Sequence, residues 1–221
     1  MARRKGAAIP PEVTFSTKQR LAQRMLSHAL EGGLSAEWVL ADAVYGSDSK
    51  FRSFLEERNQ PYVLAVSSQQ RLWVGFSQRR VDAIARELAS ESWLRMSAGA
   101  GMKGPRLYDW AAGKFGAPTE NGLVRWLLVR RSIEKTEELA YYLCLAPGGA
   151  TMEDLARAAG QRWNIECCFE AAKQETGLDE YEVRSWHGCH MTLSMLALAF
   201  LCVIRTTVTQ KRKKRTAALC P

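Results

Sequence analysis

Apolar and polar positions change period several times along the chain, and each change marks an element. Between Thr17 and about Glu31, Leu21, Met25 and Ala29, with Leu26 and Leu30 beside them, recur at intervals of three and four. That spacing predicts an amphipathic helix ended by Gly32 and Gly33. The next run, EWVLADAVYG over 37–46, is short and apolar, reaches a carboxylate and stops at a glycine. It predicts a buried parallel-type strand delivering Asp42 at its carboxyl end. A helix from about Ser49 to Arg58 and a second apolar strand from Pro61 to Val66 complete a βαβ unit with a right-handed crossover.

From residue 69 to about 150 the alternation of strand and helix is lost. A polar stretch with one short helix, Val81 to Ala89, leads into SAGAGMKGPRLYDWA, and strands are expected over Arg106 to Phe115, Gly122 to Ile133 and Glu138 to Pro147. This reads as a β-rich insertion. From Thr151 to Gly177 the pattern predicts one long helix, with Thr151 and Asp154 at its start, no proline inside and Gly177 as its stop. The apolar run Leu193 to Ile204 is too short to span a bilayer and predicts a buried core helix continuing to about Thr209. Residues 1–16, with Pro10 and Pro11 and no periodicity, read as an extended lead-in.

Composition narrows the partners. The formal charge is +8, but the runs Arg3 to Lys5 and Lys211 to Arg215 account for the whole excess, so the body is near neutral. Contact with a polyanion must then rest on local clusters: Arg79/Arg80, Lys103/Arg106, Arg130/Arg131 and the helix face around Glu166. The cysteines at 144, 167, 168, 189, 202 and 220 form no CxxC pair, which points to reduced thiols. With no export-signal pattern, a cytoplasmic, nucleoid-associated protein with no membrane partner is expected.

Several residues carry candidate chemistry. On a continuous helix Arg162, Glu166, Phe169 and Lys173 fall on one face, an acid between two bases with an aromatic beside them, while Ile165, Cys168 and Ala172 form an apolar flank. The plain alternative is a solvated face laced by Arg162 to Glu166 pairing. Asp42 either caps the turn that follows it or stands where ligands bind, beyond a strand's carboxyl end. Gly99, Gly101 and Gly104 spell GxGxxG, yet Pro105 and an aromatic strand follow where a dinucleotide site needs a helix. A glycine loop carrying Lys103 and Arg106 suits contact with a nucleic-acid backbone instead, the plain alternative being a hairpin lead-in. Arg184 and Trp186 join charge to a flat ring, fit for phosphate contact and stacking. His187, Cys189 and His190 with Cys167 and Cys168 match no closed zinc spacing.

The run Arg162-x3-Glu166-x6-Lys173, followed by GLDEYEVRSW, resembles the glutamate-bearing helix of bacterial insertion-sequence DDE transposases, in the branch with a Tyr-Arg-Glu-Lys signature. ADAVYG resembles the second-aspartate motif of those enzymes, and KGPRLYDW, RWLLVRR and ELAYYLCLAP are similar to wording found in them. The resemblance implies an RNase H-like fold in which Asp42 and Glu166 are two of three carboxylates holding Mg²⁺ or Mn²⁺ in a two-metal site. It also implies that Arg162 and Lys173 approach the DNA backbone. The signature's tyrosine would fall at Ala159.

The first aspartate of such a triad has no counterpart. No Asp precedes Asp42, and the earlier acids, Glu12, Glu31 and Glu37, lie in the lead-in, at a helix end and in Asp42's own strand. The expectation is therefore an α/β chain with a partial RNase H-like fold that lacks its first strands. Its parts would be a partial core over 1–68, a β-rich insertion over 69–150, and C-terminal core helices with a basic tail over 151–221. Such a chain reads as a truncated transposase, inactive alone, with DNA as partner and a full-length transposase or itself as a possible second. The alternatives are a DNA-binding regulatory fragment and an independent metal-dependent nuclease whose third acid is Glu170 or Asp48.

Overall fold

Two strands with apolar residues on both sides, Tyr62–Val66 and Leu139–Pro147, demand a sheet covered on both faces, and the fold is built around them. The computed structural model describes residues 2–101, 104–185 and 188–217. They form two units, Ser16–Arg162 and Met1–Phe15 with Trp163–Pro221.

In chain order the larger unit contains α2 (Lys18–Glu31), β1 (Val39–Ala41), α3 (Ala43–Gly46), α4 (Ser49–Glu57), β2 (Tyr62–Val66), β3 (Arg71–Val74), β4 (Ser77–Arg80), α5 (Val81–Arg86), β5 (Leu94–Gly101), β6 (Gly104–Phe115), β7 (Leu123–Arg131), β8 (Leu139–Pro147) and α6 (Met152–Gln161). The smaller unit holds α1 (Ala2–Gly6), α7 (Trp163–Thr176) and α8 (His190–Ala217). Six strands form one mixed sheet in the order β1-β2-β8-β7-β6-β5. β1 and β2 are parallel, Val39 facing Tyr62 and Ala41 facing Leu64, as the βαβ reading expects. All the other pairings in this sheet are antiparallel, and β8 joins β2 directly, Tyr62 facing Leu145. The strands of the 69–150 segment thus extend the sheet that β1 and β2 begin.

The period of two sorts side chains onto two faces. Tyr62, Leu64, Val66, Val129 and Leu143 pack with Phe51 and Leu55 of α4 and Val81 of α5. Val63, Trp110, Leu128, Tyr142 and Cys144 pack with Leu155, Ala156 and Ala159 of α6 on the other. Each fully buried large side chain contributes about 1.5–3 kcal/mol, so the two covered faces supply most of the unit's stability.

Five local expectations are corrected. The helix from Thr151 to Gly177 is two helices that meet at Arg162. The capping box at its start is present, with the Thr151 hydroxyl accepting from the Asp154 N–H and the Asp154 carboxylate from the Thr151 N–H. At the break the Gly160 carbonyl accepts the Arg162 N–H and, at 2.9 Å, Arg106 Nη2, so the regular ladder is interrupted there. The glycine-rich stretch is the end of β5, paired with β6 through a register shift between Ser97 and Ala100. Residues 71–80 form a β3–β4 hairpin, and the lead-in begins with the short helix α1.

The fifth correction concerns α8. Among its described side chains only Ser194 and Leu198 are buried, whereas Leu193, Leu196, Phe200 and Val203 are each more than 60% exposed. The small core of this unit is Ala172, Leu178 and Leu198 with Cys168 and Ala171 packed against them. Among the described residues α7 packs along one stripe of α8, and the other apolar residues of α8 are exposed where a buried helix was expected. The stretch His190–Val208, with mean hydropathy 1.9, is by length and composition long and apolar enough to cross a membrane.

Candidate functional site

Asp42 follows β1 directly, and its backbone remains extended at φ −80°, ψ −178°. Its Oδ1 accepts the Val44 N–H at 2.9 Å and caps α3, while the residue as a whole is exposed. The two readings of Asp42 therefore coexist: it caps a turn and it stands at the carboxyl end of a parallel strand.

The support beneath it is specific. A Cβ on Gly46 would lie 2.0 Å from the Ala65 carbonyl oxygen, so only glycine lets α3 rest on the backbone of β2. Arg52 Nη1 donates to the Gly46 carbonyl from α4, and Gln19 Nε2 donates to the Val44 carbonyl from α2 at 2.9 Å. The turn holding Asp42 is thus tied to three neighbouring elements. Sequence alone identified Gly46 only as a turn; its second role depends on β2, nineteen residues on, and had no local signal. Asp48, one alternative third acid, is occupied as the cap of α4, its Oδ1 accepting the Phe51 N–H at 2.9 Å.

Glu166 lies in the first turn of α7, where the positive end of the helix dipole favours an acid. It is exposed, as are Phe169 and Lys173, which follow on the same helix. Arg162 precedes α7 at the break and is half-buried in the larger unit, where its charge and that of Arg130 oppose the rise that burial imposes on the Tyr142 hydroxyl pKa. Asp42 belongs to the larger unit and Glu166 to the smaller.

Arg106 has an internal role. Its Nη2 donates to the carbonyls of Ala98 at 2.8 Å and Gly160 at 2.9 Å, joining the β5–β6 hairpin to the last turn of α6. Arg184 is exposed in an irregular stretch. Lys103, Trp186 and His187 lie outside the described residues. His190 is turned to the Gly177 carbonyl, 2.9 Å away, and Glu170 accepts from Gln174 one turn on.

Asp42 and Glu166 offer hard oxygen donors of the kind Mg²⁺ prefers. Among the described residues, no group of three or more His, Cys, Asp or Glu could hold a metal ion.

No curated protein matches the chain. The six-stranded mixed sheet with its helices is consistent with a DDE or RNase H-like nuclease fold. Residues 1–87 match the family model described as DDE superfamily endonuclease, a stretch that contains Asp42 and its supports but not Glu166, so this part of the chain is similar to DDE-type nucleases and transposases.

Proposed function

We propose that the chain is a DNA-acting polypeptide of the DDE transposase type, of insertion-sequence origin, in which Asp42 and Glu166 are two of the carboxylates that bind divalent metal, Mg²⁺ or Mn²⁺. By itself it does not cut DNA. The observation that carries the reading is Asp42: an exposed acid at the carboxyl end of a parallel strand, held by a glycine-supported turn, inside the stretch similar to DDE endonucleases. Phosphodiester cleavage and transfer builds negative charge on the oxygens of an already anionic phosphate, and the part of the carboxylates would be to hold divalent metal, which would stabilise that charge and activate the attacking hydroxyl. Two acids fall short of that task, and the third comes from another polypeptide, a full-length relative that pairs with this chain. The open side of β1, which among the described strands pairs with β2 alone, is a place for a donated strand. Arg162, Lys173 and Arg184 serve as backbone contacts.

The test is nicking of supercoiled DNA with Mg²⁺ by wild type, Asp42→Asn and Glu166→Gln, each with and without the N-terminal segment of a full-length relative. The expected result is no nicking alone, and nicking on addition of the segment that both substitutions abolish. Strong nicking by the unsupplemented wild type, lost in both variants, favours an independent nuclease. Restored nicking indifferent to Asp42 and Glu166 removes both from the site.

A further inference from the structure

The sheet end that carries Asp42 extends well beyond β1. Ala41 faces Leu64 of β2, and the next residue of β2, Ala65, faces Tyr142 of β8. Tyr142 faces Leu128 of β7, and two residues further along β7 Arg130 faces Ala140 on one side and Trp110 of β6 on the other. Leu40, Ala65, Tyr142, Leu128, Trp110 and Tyr108 all belong to the core beneath α6, so they share one face of the sheet. The period of two places Asp42, two residues after Leu40, on that same face. With strands about 4.8 Å apart, β1 to β7 spans on the order of 15 Å, the length of a few nucleotides of backbone.

Arg130 and Arg131 are adjacent in sequence and are separated by this alternation. Arg131 turns to the opposite face, where it stacks over Trp93 and donates to Asp109 at 3.2 Å. Arg130 lies over the Tyr108 ring with Cζ 4.4 Å from its centroid, and its N–H groups meet no protein acceptor among the described residues. Tyr108 is itself held edge-on to Trp110, and Trp110 lies against Tyr142, with 6.2 Å between centroids in each pair. A guanidinium held over a fixed ring keeps N–H groups available for an oxyanion with two acceptor oxygens, such as a phosphate diester. The Tyr142 hydroxyl lies within electrostatic reach of Arg162 as well as of Arg130. Ala140 opposite Arg130 leaves room above the strand.

We infer that this sheet end, running from Asp42 across β2 and β8 to Arg130 on Tyr108, is a track for the phosphate backbone of duplex DNA, with Arg130 as a direct phosphate contact. The inference rests on the DNA-acting role proposed above and adds to it a residue and a direction. Phosphate contacts of this kind position the duplex without reading its sequence.

The experiment is fluorescence anisotropy of a labelled duplex of arbitrary sequence with the intact chain across a salt series. It is repeated in a background where Lys211 to Arg215 are all alanine, which removes the basic tail. In that background Arg130→Gln is expected to weaken binding several-fold for any sequence and to lower the slope of log affinity against log salt by about one. Arg130→Lys should keep the slope and lose part of the affinity, Tyr108→Phe should be silent, and Lys135→Gln, at an exposed ion pair, should change nothing. Circular dichroism melts report whether each variant folds, and Arg130→Lys decides the question if the Gln variant does not. Binding by the tail-free parent that Arg130→Gln leaves unchanged in strength and slope overturns the track and leaves the DNA-acting role standing. Binding that disappears with the tail alone also overturns it. Absence of binding by the intact wild-type chain overturns the DNA-acting role itself.

Discussion

Arg106 and Gly160 are 54 positions apart, and Arg106 Nη2 lies 2.9 Å from the Gly160 carbonyl oxygen and 2.8 Å from that of Ala98. A Cβ on Gly160 would be 1.8 Å from the Ala98 oxygen, so the end of α6 can touch β5 only because residue 160 has no side chain. In an open helix Gly→Ala would stabilise by about 1 kcal/mol. Here overpacking against backbone reverses the sign, and Gly160→Ala should destabilise by about 1–3 kcal/mol. Urea unfolding measures it; a higher midpoint for the variant contradicts the contact.

That contact also explains what the sequence could and could not reveal. Strands β2 and β8 were legible because both faces are buried and their residues form continuous apolar runs. Helix α2 was legible from the Thr17 cap and its three-four spacing. The break at Arg162 was not, since the guanidinium that reaches the Gly160 carbonyl arrives from residue 106, and the local signal in TMEDLARAAGQRWNIE, a glycine at 160, is by itself tolerated inside a helix at a cost of about 1 kcal/mol. The β3–β4 hairpin was missed because only Leu72 of β3 is buried, so its strands show no alternation. At the site, a carboxylate ending an apolar run was visible, whereas the division of labour between Arg130 and Arg131 needs the register of β7.

Asp42 has a structural contribution separable from any chemical one. Removing its cap with Asp42→Ala should cost about 1 kcal/mol, whereas Asp42→Asn keeps an acceptor for the Val44 N–H and should be near neutral. Thermal melts of the two variants side by side test this. Equal losses would mean that Oδ1 does not hold the turn.

Asp109 gives the larger unit a pH dependence. Its carboxyl is held below the ordinary range by the hydrogen bond from Arg95 and then that from Arg131, with burial acting the other way. Because the folded pKa is the lower one, the unfolded chain binds more protons in the window between the two, and stability rises with pH there. The contribution is complete above the unfolded value of about 3.9 and is lost as pH falls through the folded value. Asp82, held down by Arg80 and Arg86, has the same sign. Urea midpoints measured down to about pH 3 should fall less steeply for Asp109→Asn than for wild type. An identical slope would remove Asp109 from the acid response.

Metal affinity should be weak, because two carboxylates bring less charge to a divalent cation than three. Isothermal titration with Mg²⁺ and Mn²⁺ is the measurement. Tight binding that Asp42→Ala and Glu166→Ala together abolish would mean that a further ligand exists within the chain.

The chain should self-associate, and magnitudes indicate which surface dominates. β1 is the last strand of its sheet and leaves one edge open, but it is three residues long and offers only one or two backbone hydrogen bonds, each about 0.5–1.5 kcal/mol net. On α8, Leu193, Leu196, Phe200 and Val203 recur at three, four and three, on the side away from Ser194 and Leu198, and all four are more than 60% exposed. This is a seam of the coiled-coil kind, and full burial of each side chain contributes about 1.5–3 kcal/mol. The helix therefore outweighs the strand edge. Sedimentation velocity should show concentration-dependent association of the wild type that Leu196→Lys with Phe200→Lys largely removes. A proline in place of Leu40, which blocks strand addition, should have the smaller effect on association. If the double lysine variant associates as strongly as wild type, while the Leu40→Pro variant remains folded and monomeric, the strand edge is the surface through which copies of this chain meet.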